Sequence, residues 1–201
     1  MGFTAASLRP ELARTIAERY LSTNDWMQTR SSVLSTNALQ NRATASAERQ
    51  EREIRQRLQR LTPQQIALLA SGNAEDRAAL SWLAAAKQIQ FAFNFASITL
   101  TEKLAEYDTL LRYADFQSFL DSEALSHPQL SNLAPSSIAK LRQVLLRMLK
   151  EVGIISEIHP NSGLGKIHRP ILSNSVLNVI DSDNARWLAA FLLCPRNNES
   201  A

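Results

Sequence analysis

Residues 135–155 read P-S-S-I-A-K-L-R-Q-V-L-L-R-M-L-K-E-V-G-I-I. Ile138, Leu141, Leu145, Met148, Leu149 and Val152 recur at steps of three and four, which places them on one side of a helix. Pro135, Ser136 and Ser137 are start signals, because a serine hydroxyl can accept from a backbone N–H of the first turn. Gly153 is a stop signal, since glycine adopts the left-handed conformation that closes helices. At about 100° per residue, Ser136, Ala139, Lys140, Gln143, Arg147 and Lys150 fall in one narrow sector of the opposite side. That stripe carries three positive charges and no negative one, with Glu151 at its edge. Two short β-type runs follow, Ile154 to Ile158 and Ile167 to Leu172, joined through Pro160, Asn161, Ser162, Gly163 and Gly165.

An amphipathic helix with a basic outer stripe, followed by a hairpin with a basic tip, is the order of a winged helix. There the helix can enter a DNA major groove while the hairpin lies along the backbone. Ser136, Lys140, Gln143, Arg147 and Lys150 are the candidate contacts from the helix, and Lys166, His168 and Arg169 those from the wing. The same pattern also describes an ordinary solvated helix face, so the stripe alone does not decide between the two.

The residues before this stretch predict a helical bundle. A first helix over 5–21 has an apolar stripe of Leu8, Leu12 and Ile16; Asp25 caps a second, in which Trp26 is a packing anchor. Residues 45–61 form a third, with Ile54, Leu58 and Leu61 inward and charge elsewhere. Glu48–Arg52, Glu51–Arg55 and Glu53–Arg57 have the spacing of intrahelical ion pairs. Arg42, Arg49 and Arg60 have no such partner, which makes this region, with Arg42 and Arg49, a candidate second nucleic-acid contact. Thr62-Pro63 opens a short helix as cap and first residue. Residues 75–113 form the central buried helices, and Phe91, Phe93 and Phe95 are core residues rather than base-stacking ones, because no basic groove surrounds them. Residues 114–133 predict two short helices around a bend at His127-Pro128, and Asp181 to Leu193 a last helix. The expected architecture is mainly α: a helical bundle over 1–115, then a winged-helix-like subdomain over 116–201 with one short β-hairpin and a C-terminal helix.

Charge is uneven along the 201 residues. Residues 1–60 hold 10 basic and 6 acidic side chains, 61–135 hold 4 and 8, 136–170 hold 6 and 2, and 171–201 hold 2 and 3. Two separated positive regions fit this better than a uniformly cationic protein. The single Cys194 excludes an internal disulfide framework and argues against structural zinc. The longest uncharged central stretch, Gln88 to Thr101, is too short and too polar to span a bilayer, and Arg9, Glu11 and Arg14 interrupt any signal-peptide core; a cytoplasmic protein is expected.

No catalytic motif emerges, and no cofactor is expected. Gly163-Leu164-Gly165-Lys166 fails as a phosphate-binding loop, with Pro160 at its first glycine position and Ile167 where a magnesium-holding hydroxyl would stand. His159 and His168 could face each other across the hairpin, but two ligands make no metal site.

The order of these features resembles the BrxA family of BREX phage-defence systems. The resemblance rests on Glu11 and Arg14; Asn24-Asp25-Trp26; the run Asn37 to Arg42; R-Q-R-L-Q-R-L at 55–61; Trp82-Leu83 with Ala86-Lys87; Phe95; and above all the helix at 136–155. It implies a cytoplasmic, mostly helical, non-enzymatic accessory protein that binds nucleic acid, double-stranded DNA first. Similarity to helical antitermination factors leaves an RNA-binding regulator open. A third reading is an adaptor whose basic faces dock other BREX proteins.

Overall fold

The structure is a computed structural model that describes residues 7–39, 43–157 and 163–194. It is mainly helical with one small antiparallel sheet, as the sequence leads one to expect. The chain divides into two compact units, Met1–Gln88 with Leu172–Asp183, and Ile89–Ile171 with Asn184–Ala201.

The first unit contains α1 (Pro10–Thr23), α2 (Trp26–Ser35), α3 (Thr44–Leu58), α4 (Pro63–Ser71), α5 (Ala74–Gln88) and α10 (Asn174–Asp181). Its local signals work as physical chemistry requires. The Asp25 carboxylate accepts from the N–H groups of Met27 at 2.6 Å and Gln28 at 3.0 Å, starting α2. Thr62 and Gln65 form a reciprocal capping box at the start of α4, with Pro63 as its first residue. Trp26 stacks on Tyr20 with ring centroids 3.9 Å apart. Of the predicted pairs on α3, Glu51–Arg55 forms at 2.7 Å, with Glu51 fully buried.

The return of residues 172–183 to this unit is absent from the sequence reading, which ran a strand to Leu172 and began its last helix at Asp181. Helix α10 occupies the gap, capped by Ser173, whose hydroxyl also donates to Asp76 at 2.7 Å. Gln65 donates to the Val179 carbonyl at 2.9 Å. The Lys87 ammonium, almost wholly buried, joins Asp183 and Gln65. The helix expected over Asp181 to Leu193 is instead a 3-10 helix, Ala185–Phe191, which begins after α10 has ended at Asp181.

The second unit begins with a continuous helical run: α6 (Gln90–Asn94), a π-helical segment (Phe95–Leu100) and α7 (Thr101–Ala105). Phe91 and Phe95 pack edge-on against Phe119 of α8 (Tyr113–Ser126) at 4.9 and 5.0 Å, and Phe93 packs on Trp187 of the 3-10 turn at 5.2 Å. Phe91 and Phe95 are core residues, as expected, whereas Phe93 is half-buried. Residues 128–134 form turns rather than the second short helix expected there, with Leu130 buried as their anchor.

Helix α9 (Pro135–Glu151) follows. Its start differs from expectation: Ala134 is the cap, Pro135 the first helical residue, and no side chain caps it, so Ser136 and Ser137 do not serve that purpose. Its end is as predicted. Gly153 has φ 76°, its N–H reaches the Lys150 carbonyl at 3.0 Å, and that of Ile154 reaches Leu149 at 2.9 Å, a Schellman closure. The sheet has three strands in the order β1-β3-β2: β1 (Leu110–Leu111), β2 (Ile155–Ser156) and β3 (Gly165–Ile167). Strand β2 is shorter than the expected run, β3 shares only Ile167 with the run expected over Ile167 to Leu172, and β1 is additional. A Cβ at Gly165 would lie 3.1 Å from the Ser156 carbonyl and 3.2 Å from the Ile155 Cβ, so a larger residue there would push on the paired strand.

Candidate nucleic-acid interface

Helix α9 buries Leu141, Val144, Leu145, Met148 and Leu149, and this fixes what it shows to solvent. Ser136, Lys140, Gln143, Arg147 and Lys150 are all exposed, on the side the periodicity assigned to them. From Ser136 to Lys150 the row runs about 21 Å at 1.5 Å per residue. Lys140 donates to the Gln143 side-chain carbonyl at 3.2 Å. Arg147 has no ion pair or hydrogen bond among the described residues. Arg142 lies off the row: its guanidinium sits 4.6 Å over the Tyr113 ring, a cation–π contact that holds α9 to α8.

The C-terminal end of the row meets the hairpin. Lys150 pairs with Glu157 at 2.9 Å, and this ammonium holds the Glu157 carboxyl below its ordinary range. Along β3 the pattern alternates, Gly165 and Ile167 buried, Lys166 and His168 exposed. Ser156 stands opposite Lys166 in the β2–β3 register and shares a 2.9 Å hydrogen bond with the His168 ring. Lys150, Ser156, Lys166 and His168 are thereby brought together. Ser156 went unnoticed in the sequence, although its outward position follows once Ile155 is known to point inward. Arg169 is exposed but its Nε donates to the Leu192 carbonyl at 3.0 Å, which anchors the strand exit to the end of the 3-10 turn.

Arg49 is exposed on α3, in the other unit. Arg42 lies outside the described residues, as does His159. Three other arginines of this region serve the fold, while Arg52 is exposed. Arg55 pairs with Glu51, Arg57 donates to the Ser7 carbonyl at 2.9 Å, and Arg60 donates to Gln88. Beside them the Glu53 carboxyl is raised, chiefly by burial against which Arg57 acts in the opposite direction, and its Oε2 has no hydrogen-bond partner among the described residues.

No group of three or more His, Cys, Asp or Glu side chains among the described residues is placed to hold a metal ion. No described helix is long and apolar enough to cross a membrane.

The family model BrxA matches residues 1–184. The BREX protein BrxA of Escherichia coli O9:H4 (strain HS) is 27% identical over 143 residues, covering 71% of this chain and 67% of that protein. The crystal structure of an uncharacterized protein from Magnetospirillum magneticum superposes with a TM-score of 0.79 at 20% identity, covering 94% of this chain and 95% of that one, which shows a shared fold.

Proposed function

We propose, from the premise that the chain belongs to the BrxA family, that it is a non-enzymatic nucleic-acid-binding accessory protein of a BREX phage-defence system, with double-stranded DNA as its ligand. The observation that carries this is the exposed cationic row of α9 running into the outward side chains of the β2–β3 hairpin. The element order β1, α8, α9, β2, β3, with β3 central in the sheet, supports reading this part of the chain as a winged helix. In this reading the sheet of the winged-helix segment of 116–201 is completed by β1, which precedes residue 116 in the chain and lies in the same unit as α8 and α9.

In this reading α8 supports, α9 is presented to the major groove, and the hairpin is the wing. Lys140, Arg147 and Lys150 neutralise phosphates along the groove, and Ser136 offers a hydroxyl at the row's start. Lys166, His168 and Arg169 meet the backbone beside it. Arg42 and Arg49 add a second, smaller set of phosphate contacts. Gln143 is the one side chain in the row with the donor–acceptor pair that reads an adenine edge. A row of one amide and three cations positions the protein on DNA more than it specifies a sequence. DNA as ligand makes the cytoplasm its place of action, and other BREX proteins its company.

Titration of a labelled DNA duplex with the protein, followed by competition with unlabelled RNA duplex and with single strands, tests this. Duplex DNA should compete best. Preferential displacement by RNA would favour the antitermination-like reading. No binding to any nucleic acid, together with a nuclease-resistant complex with another BREX protein, would favour the adaptor.

A further inference from the structure

The second unit has a feature that nucleic-acid binding does not use. Between the π-helical segment with α7 and one face of α8 lies an open cavity of about 330 Å³. Its apolar part is Ile98 and Phe119, and its rim is acidic, with Glu102, Glu106 and Glu123. Ile98 is 47% exposed, and Leu125, one turn beyond Ser122 on the same side of α8, is 86% exposed. Leu125 thus adds an exposed apolar residue on that side of α8, beyond the cavity lining.

The charges here are arranged at a cost to the helix that bears them. Lys103, the one cation lining the cavity, is already engaged by Asp108 at 2.7 Å and Asp115 at 2.9 Å. Glu102 and Glu106 have no ion pair or hydrogen bond from their side chains among the described residues. They stand four residues apart, a spacing at which like charges destabilise a helix. Glu106 is also at the C-terminal cap of α7, where the helix dipole disfavours an anion. The π-helical segment that carries Ile98 is itself an uncommon geometry that recurs at functional sites. The two electrostatic costs are relieved by a cationic occupant.

We infer that this groove docks an amphipathic, basic helix of a partner protein, its apolar residues on the exposed Ile98 and Leu125, with only the edge of Phe119 at the cavity floor, and its lysines or arginines on Glu102 and Glu106. The mode is helix-in-groove recognition, with anchors at i, i+3 or i+4, and i+7. An acidic rim repels phosphate, so this site is independent of the DNA face, and the proposal does not rest on DNA binding.

The test is titration of isotopically labelled full-length protein with a synthetic helical peptide bearing leucines at those positions and flanking lysines, read by amide NMR shifts. Shifts should cluster in residues 98–125. The double variant Glu102→Lys, Glu106→Lys should weaken binding by about tenfold or more, and a peptide with glutamates in place of lysines should fail to bind. Ile98→Asp, at an exposed position, should abolish peptide binding with DNA affinity unchanged. Equal affinity for both peptides, or shifts confined to α9, would overturn the inference. So would a concentration-dependent self-association, measured by sedimentation, that Ile98→Asp abolishes, because the groove's occupant would then be a second copy of this chain.

Discussion

Helix α3 carries Arg49, Arg52, Arg55 and Arg57, and helix α9 carries Lys140, Arg142, Arg147 and Lys150. In α3, Arg55 is held by a fully buried carboxylate that also lies 3.7 Å from Arg30, and the buried Arg57 reaches a main-chain carbonyl fifty residues away. In α9, only Arg142 is turned to the fold, and the other three cations point outward in one row. Two helices with equal numbers of cations thus differ in what the cations are for. The difference originates in the acidic residues: α3 interleaves Glu48, Glu51 and Glu53 with its arginines, whereas α9 has only Glu151 at its end. Two of the four arginines on α3, Arg55 and Arg57, are part of the folded structure while Arg49 and Arg52 stay exposed; on α9 three of four cations are exposed, Lys150 among them although it pairs with Glu157.

The largest effect expected from this contrast is on stability. Glu51→Ala leaves Arg55 and Arg30 facing a buried void without their carboxylate and should cost about 3 kcal/mol in urea unfolding. Arg147→Ala, at an exposed position without a partner, should stay within about 0.5 kcal/mol. Equal losses would break the comparison.

Next in size is the junction of α9 with its hairpin. Gly153→Ala meets no steric obstacle but places a Cβ at φ 76°, and should cost about 1 kcal/mol in the same measurement. A neutral result would mean that the closure of α9 relaxes freely.

The acid limb of stability separates the two units in sign. In the second unit, hydrogen bonds from Lys103, then Arg112, hold the Asp108 carboxyl well below the ordinary range. That stabilisation is fully present above the ordinary aspartate value and is lost as pH falls toward the lowered folded value. Asp108→Asn should therefore flatten the acid limb of thermal melts. Glu53 in the first unit behaves oppositely. Burial raises its pKa, so its contribution is favourable in acid and lost as pH rises through the raised folded value. Glu53→Gln should raise the melting temperature at neutral pH. A drop in both variants at neutral pH would show that both carboxylates form stabilising pairs.

These contrasts also mark what could be read from the chain. Helix α9, its apolar side, its exposed row and its closure at Gly153 were legible, because seventeen residues hold a 3.6-residue period and end on a glycine. Helix α10 was not. It has eight residues, two of them valines, and its place depends on Gln65, Asp76 and Lys87, about a hundred residues earlier. Strand β1 is two residues long and exists only because β3 pairs with it. In the candidate site, helix angle alone separated Arg142 from Arg147, but the tethering of Arg169 to Leu192 and the neutralisation of Lys150 by Glu157 are tertiary facts. The spacing that proposed three ion pairs on α3 could not tell which carboxylate would be buried.

The most direct test is the salt dependence of duplex binding by fluorescence anisotropy, for the wild type, for Arg147→Glu with Lys150→Glu on α9, and for Arg49→Glu on α3. With about seven phosphate contacts, wild-type affinity should fall by about a thousandfold or more between roughly 50 and 200 mM salt. The α9 variant should lose most of its affinity and reduce the slope by about two contacts, while unfolding like the wild type. Arg49→Glu should shift the slope by about one contact or less. Binding that is insensitive to salt, or that survives reversal on α9 and disappears on reversal of Arg49, would contradict the account.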